Sequence, residues 1–271
     1  MIISILGCGW LGLPLAKELL EQGHSIKGST TSPEKLEVLS SEGIQPYQIS
    51  VSPKGISGEI QDFLAETDVL IIDIPPGLRR DPEQDFSGGI EKLVKEVEKS
   101  GVKKLLFVSS TTVYEDTPEI PTYTEAAAPN GTSAAAKQLI AVEKMLLQST
   151  FFDACILRFG GLIGADRHPV KYLSGRKNIA NPLAPVNLIH QQDCINIVKA
   201  IVEKDKFNGV YNGVFPEHPK KSEYYSKAAE ERNLPVPQFD LNAASSGKII
   251  DATKVERELG VEFQNKISGI A

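Results

Sequence analysis

The stretch Ile2-Ile3-Ser4-Ile5-Leu6-Gly7-Cys8-Gly9-Trp10-Leu11-Gly12 decides the fold. A short, mostly apolar run is sized for a buried strand, and three glycines follow it at Gly-x-Gly-x-x-Gly spacing. Leu15, Ala16, Leu19 and Leu20 then recur at helical spacing until Gly23 stops them. A strand that turns through glycines into a helix aims the helix N-terminus, with its free N–H groups and positive dipole end, at an anion. Gly7 permits the tight turn, Gly9 the approach of backbone to a pyrophosphate, and Gly12 the close packing of helix on strand. The expected ligand is a dinucleotide held by Gly7, Gly9, Trp10, Leu11 and Gly12. Cys8 reads as a residue small enough to fit between two of these glycines; the alternative is a redox-sensing thiol activated by the helix end.

Outward from this loop the sequence alternates short apolar runs with amphipathic ones. Strands are expected at Ser25–Gly28, Val69–Ile74, Leu105–Val108 and Ala154–Phe159. Helices are expected from Pro33, capped by Ser32, and over Phe86–Ser100 and Ala134–Leu147. Such alternation means βαβ units and a parallel sheet. Residues 160–187 are rich in Gly, Pro and basic groups and read as loop. Val186–Ile189 and the helix after Gln191 return to the sheet, and a further helix is expected near Lys220–Asn233. The expected fold is α/β: a Rossmann-type doubly wound parallel sheet with a small C-terminal substrate lobe. Residues 1–160 plus 186–207 form the NAD(P)-binding domain, and 161–185 plus 208–271 form the lobe.

The end of the second strand bears on NAD against NADP. Lys27-Gly28-Ser29-Thr30-Thr31-Ser32 holds no carboxylate before Glu34, so nothing there repels a 2′-phosphate. Ser29, Thr30 and Thr31 can donate hydrogen bonds to it, with Lys35 nearby. NADP is the favoured cofactor and NAD the alternative. Pro75-Pro76-Gly77 follows the fourth strand at the edge where such folds bind ligands, and Pro75 and Pro76 are expected to wall the adenine or ribose.

Composition narrows the class. The 271 residues carry a net charge of −6, with 41% apolar and 24% charged residues, which suits a packed globular chain and not a general nucleic-acid binder. Cys8, Cys155 and Cys194 form no Cys-x-x-Cys pair, and His24, His168, His190 and His218 make no helical metal pair, so no metal is expected. No charged leader precedes the first strand and no apolar run could span a bilayer, so a cytoplasmic protein with no membrane partner is expected.

Leu105-Leu-Phe-Val-Ser109-Ser110-Thr111-Thr112-Val113-Tyr114 resembles the fifth-strand signature of extended short-chain dehydrogenases, the NAD-dependent epimerase/dehydratase family. Three later strings agree in order: Leu157-Arg158-Phe159-Gly160-Gly161-Leu162-Ile163-Gly164, then Val186-Asn187-Leu188-Ile189-His190-Gln191-Gln192-Asp193, then Gly209-Val210-Tyr211-Asn212. The resemblance covers nearly the whole chain and is to an atypical branch. It implies a two-lobed enzyme that transfers hydride at a hydroxyl carbon, often of a nucleotide sugar. It places Ser110 at the substrate oxygen, Ser109 beside the cofactor, and Lys137 on the nicotinamide ribose.

The departure is at the catalytic Tyr. Its position is Ser133, in Ser133-Ala-Ala-Ala-Lys137, and an alkyl hydroxyl titrates too high to replace a phenol near neutral pH. Tyr114 is a candidate substitute; its ordinary reading is a residue in the cleft wall. Arg79 and Arg80 read as solvated loop residues. The segment Asp166–Lys177 holds Arg167, Lys171, Arg176 and Lys177, a basic stretch able to take a phosphate or carboxylate. His190 and Asp193 read as a structural hydrogen-bonded pair. Two functions follow: an NAD(P)-dependent oxidoreductase or epimerase acting on a small molecule with non-standard acid/base groups, or a dinucleotide-binding sensor or scaffold without turnover.

Overall fold

The computed structural model describes residues 1–78, 81 and 83–267. Its centre is a seven-stranded parallel sheet. The strands are β1 (Ile2–Leu6), β2 (Ser25–Thr30), β3 (Gln45–Gln48), β4 (Val69–Ile72), β5 (Lys104–Ser110), β6 (Asp153–Phe159) and β7 (Gly209–Gly213). Their spatial order is β7-β6-β5-β4-β1-β2-β3. The chain winds outward from β1 in both directions, so the carboxyl ends of β1 and β4 flank the crossover point where such sheets hold ligands. Register is set by buried pairs, Ile3 against Ile26 on one side and Ile5 against Ile71 on the other. β1 and β4 are buried almost end to end, as parallel strands covered on both faces must be.

The longer helices are α1 (Gly12–Glu21), α2 (Leu36–Ser41), α3 (Phe86–Ser100), α4 (Ala134–Leu147), α5 (Gln191–Glu203) and α6 (Lys221–Glu230), the last packed in the core of the second unit. α3 starts where the Asp85 carboxylate accepts from Gly88 N and stops at Gly101, whose φ of 83° no β-branched residue would hold cheaply. Between them it buries Ile90, Leu93, Val94 and Val97 on one stripe. The helix expected from Pro33 is split into a 3-10 turn, Pro33–Lys35, and α2; Ser32 makes no side-chain cap. β3 lies outside the strands expected from the sequence. It has Pro46 and one buried apolar residue, Tyr47, a composition that only a sheet edge tolerates. The segment 160–187 is also less irregular than expected. Gly161–Ile163 pairs in parallel with Leu188–His190.

Packing divides the chain into two compact units. The first is Met1–Ser109, Ser133–Leu157 and Ile201–Val210; the second is Ser110–Thr132, Arg158–Ala200 and Tyr211–Ala271. Relative to the division expected from element order, packing groups Ser110–Thr132 and residues 186–200 with the C-terminal segments. Among the described residues no helix is long and apolar enough to cross a membrane.

The second unit has its own core of Ile163, Val170, Val186, Leu188, Phe215, Tyr224, Tyr225 and Ile267. A buried histidine sits beside it. His168 Nδ1 accepts from Val170 N at 3.2 Å, so Nε2 carries the proton and donates to the Tyr224 hydroxyl at 2.9 Å. That hydroxyl donates onward to the Ile267 carbonyl at 2.8 Å. Burial, with Arg232 and Lys171 adding to it, lowers the His168 pKa from 6.5 to about 4. The unfolded chain therefore binds the proton more readily. Stability from this group is complete above about pH 6.5 and is lost as pH falls through about 4, a contribution on the order of 3 kcal/mol. Denaturant unfolding followed from pH 7 to pH 4 should show this loss, and His168→Gln should flatten it. An unchanged slope in the variant would contradict the neutral, buried imidazole.

Candidate functional site

The glycine loop belongs to the first unit and joins three strand ends. Gly7 has φ of 109°, and a Cβ there would lie 2.5 Å from the Asp73 carbonyl oxygen at the end of β4. A Cβ on Gly12 would lie 2.2 Å from the Gly7 carbonyl oxygen. Both positions admit only glycine, the first for its dihedral and the second for the contact of α1 with the loop. Gly9 differs. It is exposed, and a Cβ there would meet nothing within 4 Å. The open side of the loop is thus at Gly9, where backbone can approach a ligand. α1 has no side-chain cap at Leu11; Leu13 N donates to the Gly9 carbonyl at 3.1 Å and Pro14 carries no N–H, so the first turn offers an external acceptor little beyond the Gly12 amide. Leu11 is itself 3% exposed, so only its backbone is available there. These features fit the pyrophosphate of NAD(P).

The end of β2 anchors the loop. Gly7 N donates to Ser29 Oγ at 3.0 Å and Cys8 N to the Ser29 carbonyl at 2.8 Å. Ser29 is 2% exposed, so its side chain supports the loop from behind and does not face a ribose. Thr30 is also buried, and its Oγ1 accepts from Ser32 N at 3.1 Å. Of the three hydroxyls expected to meet the cofactor, Thr31 alone is exposed. Cys8 is buried, and burial followed by the Asp73 charge pushes its thiol up to about 12. Burial of this kind disfavours the thiolate on which redox sensing depends. Pro75 is exposed and Pro76 half-buried after β4. Arg79 and Arg80 lie outside the described residues.

Asp73 was not singled out by its sequence context. One carboxylate oxygen lies 3.2 Å from the Cβ position of Gly12. Its signal was present, since it is the first residue after the buried run Val69–Ile72, at the edge where ligands bind.

β5 and α4 carry several of the side chains in the catalytic assignment. Ser109 is buried, and its Oγ donates to Glu143 Oε1 at 2.6 Å, tying β5 to α4 rather than meeting a cofactor. The buried face of α4 is Ala136, Leu139, Val142, Glu143 and Leu146. Lys137 is exposed and lies about 200° around the helix from Leu139. Ser133 is exposed and is the N-cap, its Oγ accepting from Ala136 N at 3.2 Å. The i, i+4 spacing places Ser133 and Lys137 on one exposed face.

In the second unit, Ser110 caps the turn Thr111–Val113. It accepts from Thr112 N at 3.2 Å and shares a hydrogen bond with the Thr112 hydroxyl at 2.9 Å. It is half-buried. Tyr114 is 1% exposed and is not available as an acid/base. Its hydroxyl donates to the Thr124 carbonyl at 3.0 Å and accepts from Arg158 at 2.5 Å, and its ring stacks on Tyr123 at 4.7 Å. Burial raises its pKa against the opposing pull of Arg158. Tyr114 and Arg158, itself 2% exposed, are parts of a buried polar core. Asp193 takes Asn265 Nδ2 at 2.7 Å and the backbone of Gln264 and Asn265, while His190 Nδ1 accepts from Gln192 N. Their side-chain hydrogen bonds go to different segments, while the His190 charge also acts on Asp193.

Comparison with known proteins places the chain in a family and a shared fold. Residues 7–184 match the family model described as NAD(P)H-binding. The chain is 30% identical over 264 residues to protein YeeZ of Escherichia coli strain K12, covering 97% of this chain and 95% of that one. Among solved structures, MoeE5 in complex with UDP-glucose and NAD superposes with a TM-score of 0.79 at 16% identity, covering 100% of this chain and 96% of that one. UDP-glucuronic acid 4-epimerase from Bacillus cereus, in complex with NAD, gives a TM-score of 0.79 at 16% identity, covering 100% and 94%.

The open side at Gly9 separates binding from folding. Gly9→Ala should keep the wild-type melting temperature and lose tenfold or more in NADP affinity by calorimetry, about 1.4 kcal/mol. Gly12→Ala should lower the melting temperature. Unchanged affinity in Gly9→Ala would remove the ligand from the loop.

Proposed function

The chain belongs to the NAD(P)H-binding family, and from that premise we propose that it is an NAD(P)-dependent, epimerase/dehydratase-like oxidoreductase acting on a small molecule. The observation that carries this reading is the loop. Gly7 and Gly12 are sterically fixed around a Gly9 that is left open. Gly7–Gly12 and Trp10 hold the dinucleotide, Pro75 and Pro76 wall it, and Ser110 orients the substrate oxygen. The second unit serves as the substrate lobe. A nucleotide-sugar-like substrate is supported by MoeE5, whose structure holds UDP-glucose with NAD. NADP is favoured over NAD because exposed Thr31 and Lys35 stand at the end of β2 with no carboxylate before Glu34. We assign the chain to the cytoplasm, a reducing compartment that suits its three buried, unbridged cysteines.

A second reading is a dinucleotide-binding sensor or scaffold without turnover. One observation favours it: Ser133, Lys137 and Tyr114 are respectively a helix cap, an outward-facing lysine and a buried core residue. Proton transfer by a positioned side chain contributes about a hundredfold to ten-thousandfold. In the enzyme reading, proton transfer at Ser110 would have to run through substrate or solvent.

Trp10 is the only tryptophan, so its fluorescence reports the loop. NADPH should change it at lower concentration than NADH, and tighter NADH binding would overturn the NADP preference. Lys137→Ala should leave NADPH affinity within about twofold, as for an ordinary surface substitution. A tenfold loss would put the lysine on the cofactor after all. Hydride transfer from NADPH that Ser110→Ala abolishes would support the enzyme. Firm binding with no turnover of any tested sugar nucleotide would support the sensor.

A further inference from the structure

The start of α3 is closed from two sides. Asp85, its N-cap, accepts from Gly88 N at 2.8 Å. The other closure comes from α4, 52 positions along the chain: Gln138 Oε1 accepts from Phe86 N at 2.6 Å and from Ser87 N at 3.1 Å. Phe86, Ser87 and Gly88 are the first three residues of the helix, and no carbonyl within it can take their N–H groups. An N-cap residue ordinarily answers this need from the helix's own chain. Here two of the three bonds come from a half-buried glutamine on a neighbouring helix.

The third bond of that amide lies outside the helix. Gln138 Nε2 donates to the Gln84 carbonyl at 2.8 Å, whose other contact is Phe86 N at 3.2 Å. Two donors and one acceptor around the amide fix which end is oxygen. Gln84 closes the segment that leaves β4 at Asp73. The near end of the segment touches the glycine loop, since a Cβ on Gly7 would lie 3.0 Å from Ile74 Cγ2. Pro75 and Pro76 follow, and then the chain turns back on itself. Gly77 has φ of 75°, and the Gln84 side-chain oxygen fills the space a Cβ would need there. Asp81 N donates to the Gly77 carbonyl at 3.3 Å, and Gln84 N to the Asp81 carbonyl at 3.2 Å. The segment is thus held at one end by the glycine loop and at the other by Gln138, all within the first unit.

We propose that Gln138 is a positioning residue for the dinucleotide. Its acceptor end caps α3, and its donor end holds Gln84, the far anchor of the segment that begins at Pro75 and Pro76. This rests on the reading of those prolines as the wall of the cofactor. A wall ordered before the ligand arrives spares the ligand the cost of ordering it. The two ends of the amide are separable by chemistry. A glutamate keeps both acceptor bonds and puts a negative charge at the positive end of α3, where it is favourable. It has no proton to give Gln84, and it sets a carboxylate oxygen against that carbonyl.

The test compares wild type, Gln138→Glu and Gln138→Ala as full chains by melting temperature, by calorimetric affinity for NADP and NAD, and by amide hydrogen exchange without nucleotide. Gln138→Glu should melt at or above the wild-type temperature. Its affinity for whichever nucleotide the wild type binds tighter should fall about tenfold. Its Asp81 and Gln84 amides should exchange faster while those of Ile90 and Leu93, inside α3, do not change. Gln138→Ala should lose both stability and affinity. Wild-type affinity in Gln138→Glu overturns the proposal, as does unchanged exchange at Asp81 and Gln84. Affinity lost only in Gln138→Ala, in step with its melting temperature, would make Gln138 a helix cap alone and likewise overturns it. Should the glutamate lower the melting temperature, exchange decides: a rise confined to Asp81 and Gln84 supports the proposal, and a rise shared by α3 overturns it. A wild type that binds neither nucleotide defeats the dinucleotide reading, and the proposal falls with it. Failure of the proposal alone shows as wild-type binding that Gln138→Glu retains.

Discussion

The first unit depends on one close approach, that of the Gly7 carbonyl oxygen to α1 at Gly12, where a Cβ would lie 2.2 Å away. That contact lets the helix begin directly above β1. The loop it creates is held from both neighbouring strands. β2 supplies Ser29, whose Oγ accepts from Gly7 N and whose carbonyl accepts from Cys8 N. β4 supplies the Asp73 carbonyl that forbids a side chain at Gly7. The strands are buried in register around it, so the loop's shape follows from the sheet and not from its own flexibility. A ligand meets a preformed cradle whose open point is Gly9.

Most of the sheet was legible because parallel strands buried on both faces leave apolar runs, as Val69–Ile72 does. β3 was not, because an edge strand needs little apolar burial and can hold Pro46. The pairing of Gly161–Ile163 with Leu188–His190 was hidden for another reason: each strand has three residues, and glycine masks the first. Their order in the chain was visible, but not that they pair.

The site divides in the same way. The glycines were legible because their spacing states a backbone requirement. Side-chain direction was not. Ser29 and Ser109 lie on strands at the expected edge, yet both point into the unit, toward the Gly7 amide and Glu143. Ser133 and Lys137 have the right separation for a catalytic pair, but separation does not choose the helix face. The apolar series Ala136, Leu139, Val142 and Leu146 does choose it, and it leaves Lys137 outside. Tyr114 follows the buried Val113 and meets Arg158, a partner 44 residues away that local sequence could not supply. In the structure Ser133 is thus a helix cap, Lys137 an exposed side chain and Tyr114 a buried one.

The measurement that tests the central claim most directly is an NMR titration of backbone amides in the full chain with NADP. The account predicts that Gly9, Leu11 and Gly12 shift first and saturate together, with Lys137 unmoved. Saturable binding that leaves these three amides in place, or no binding at all, would contradict it.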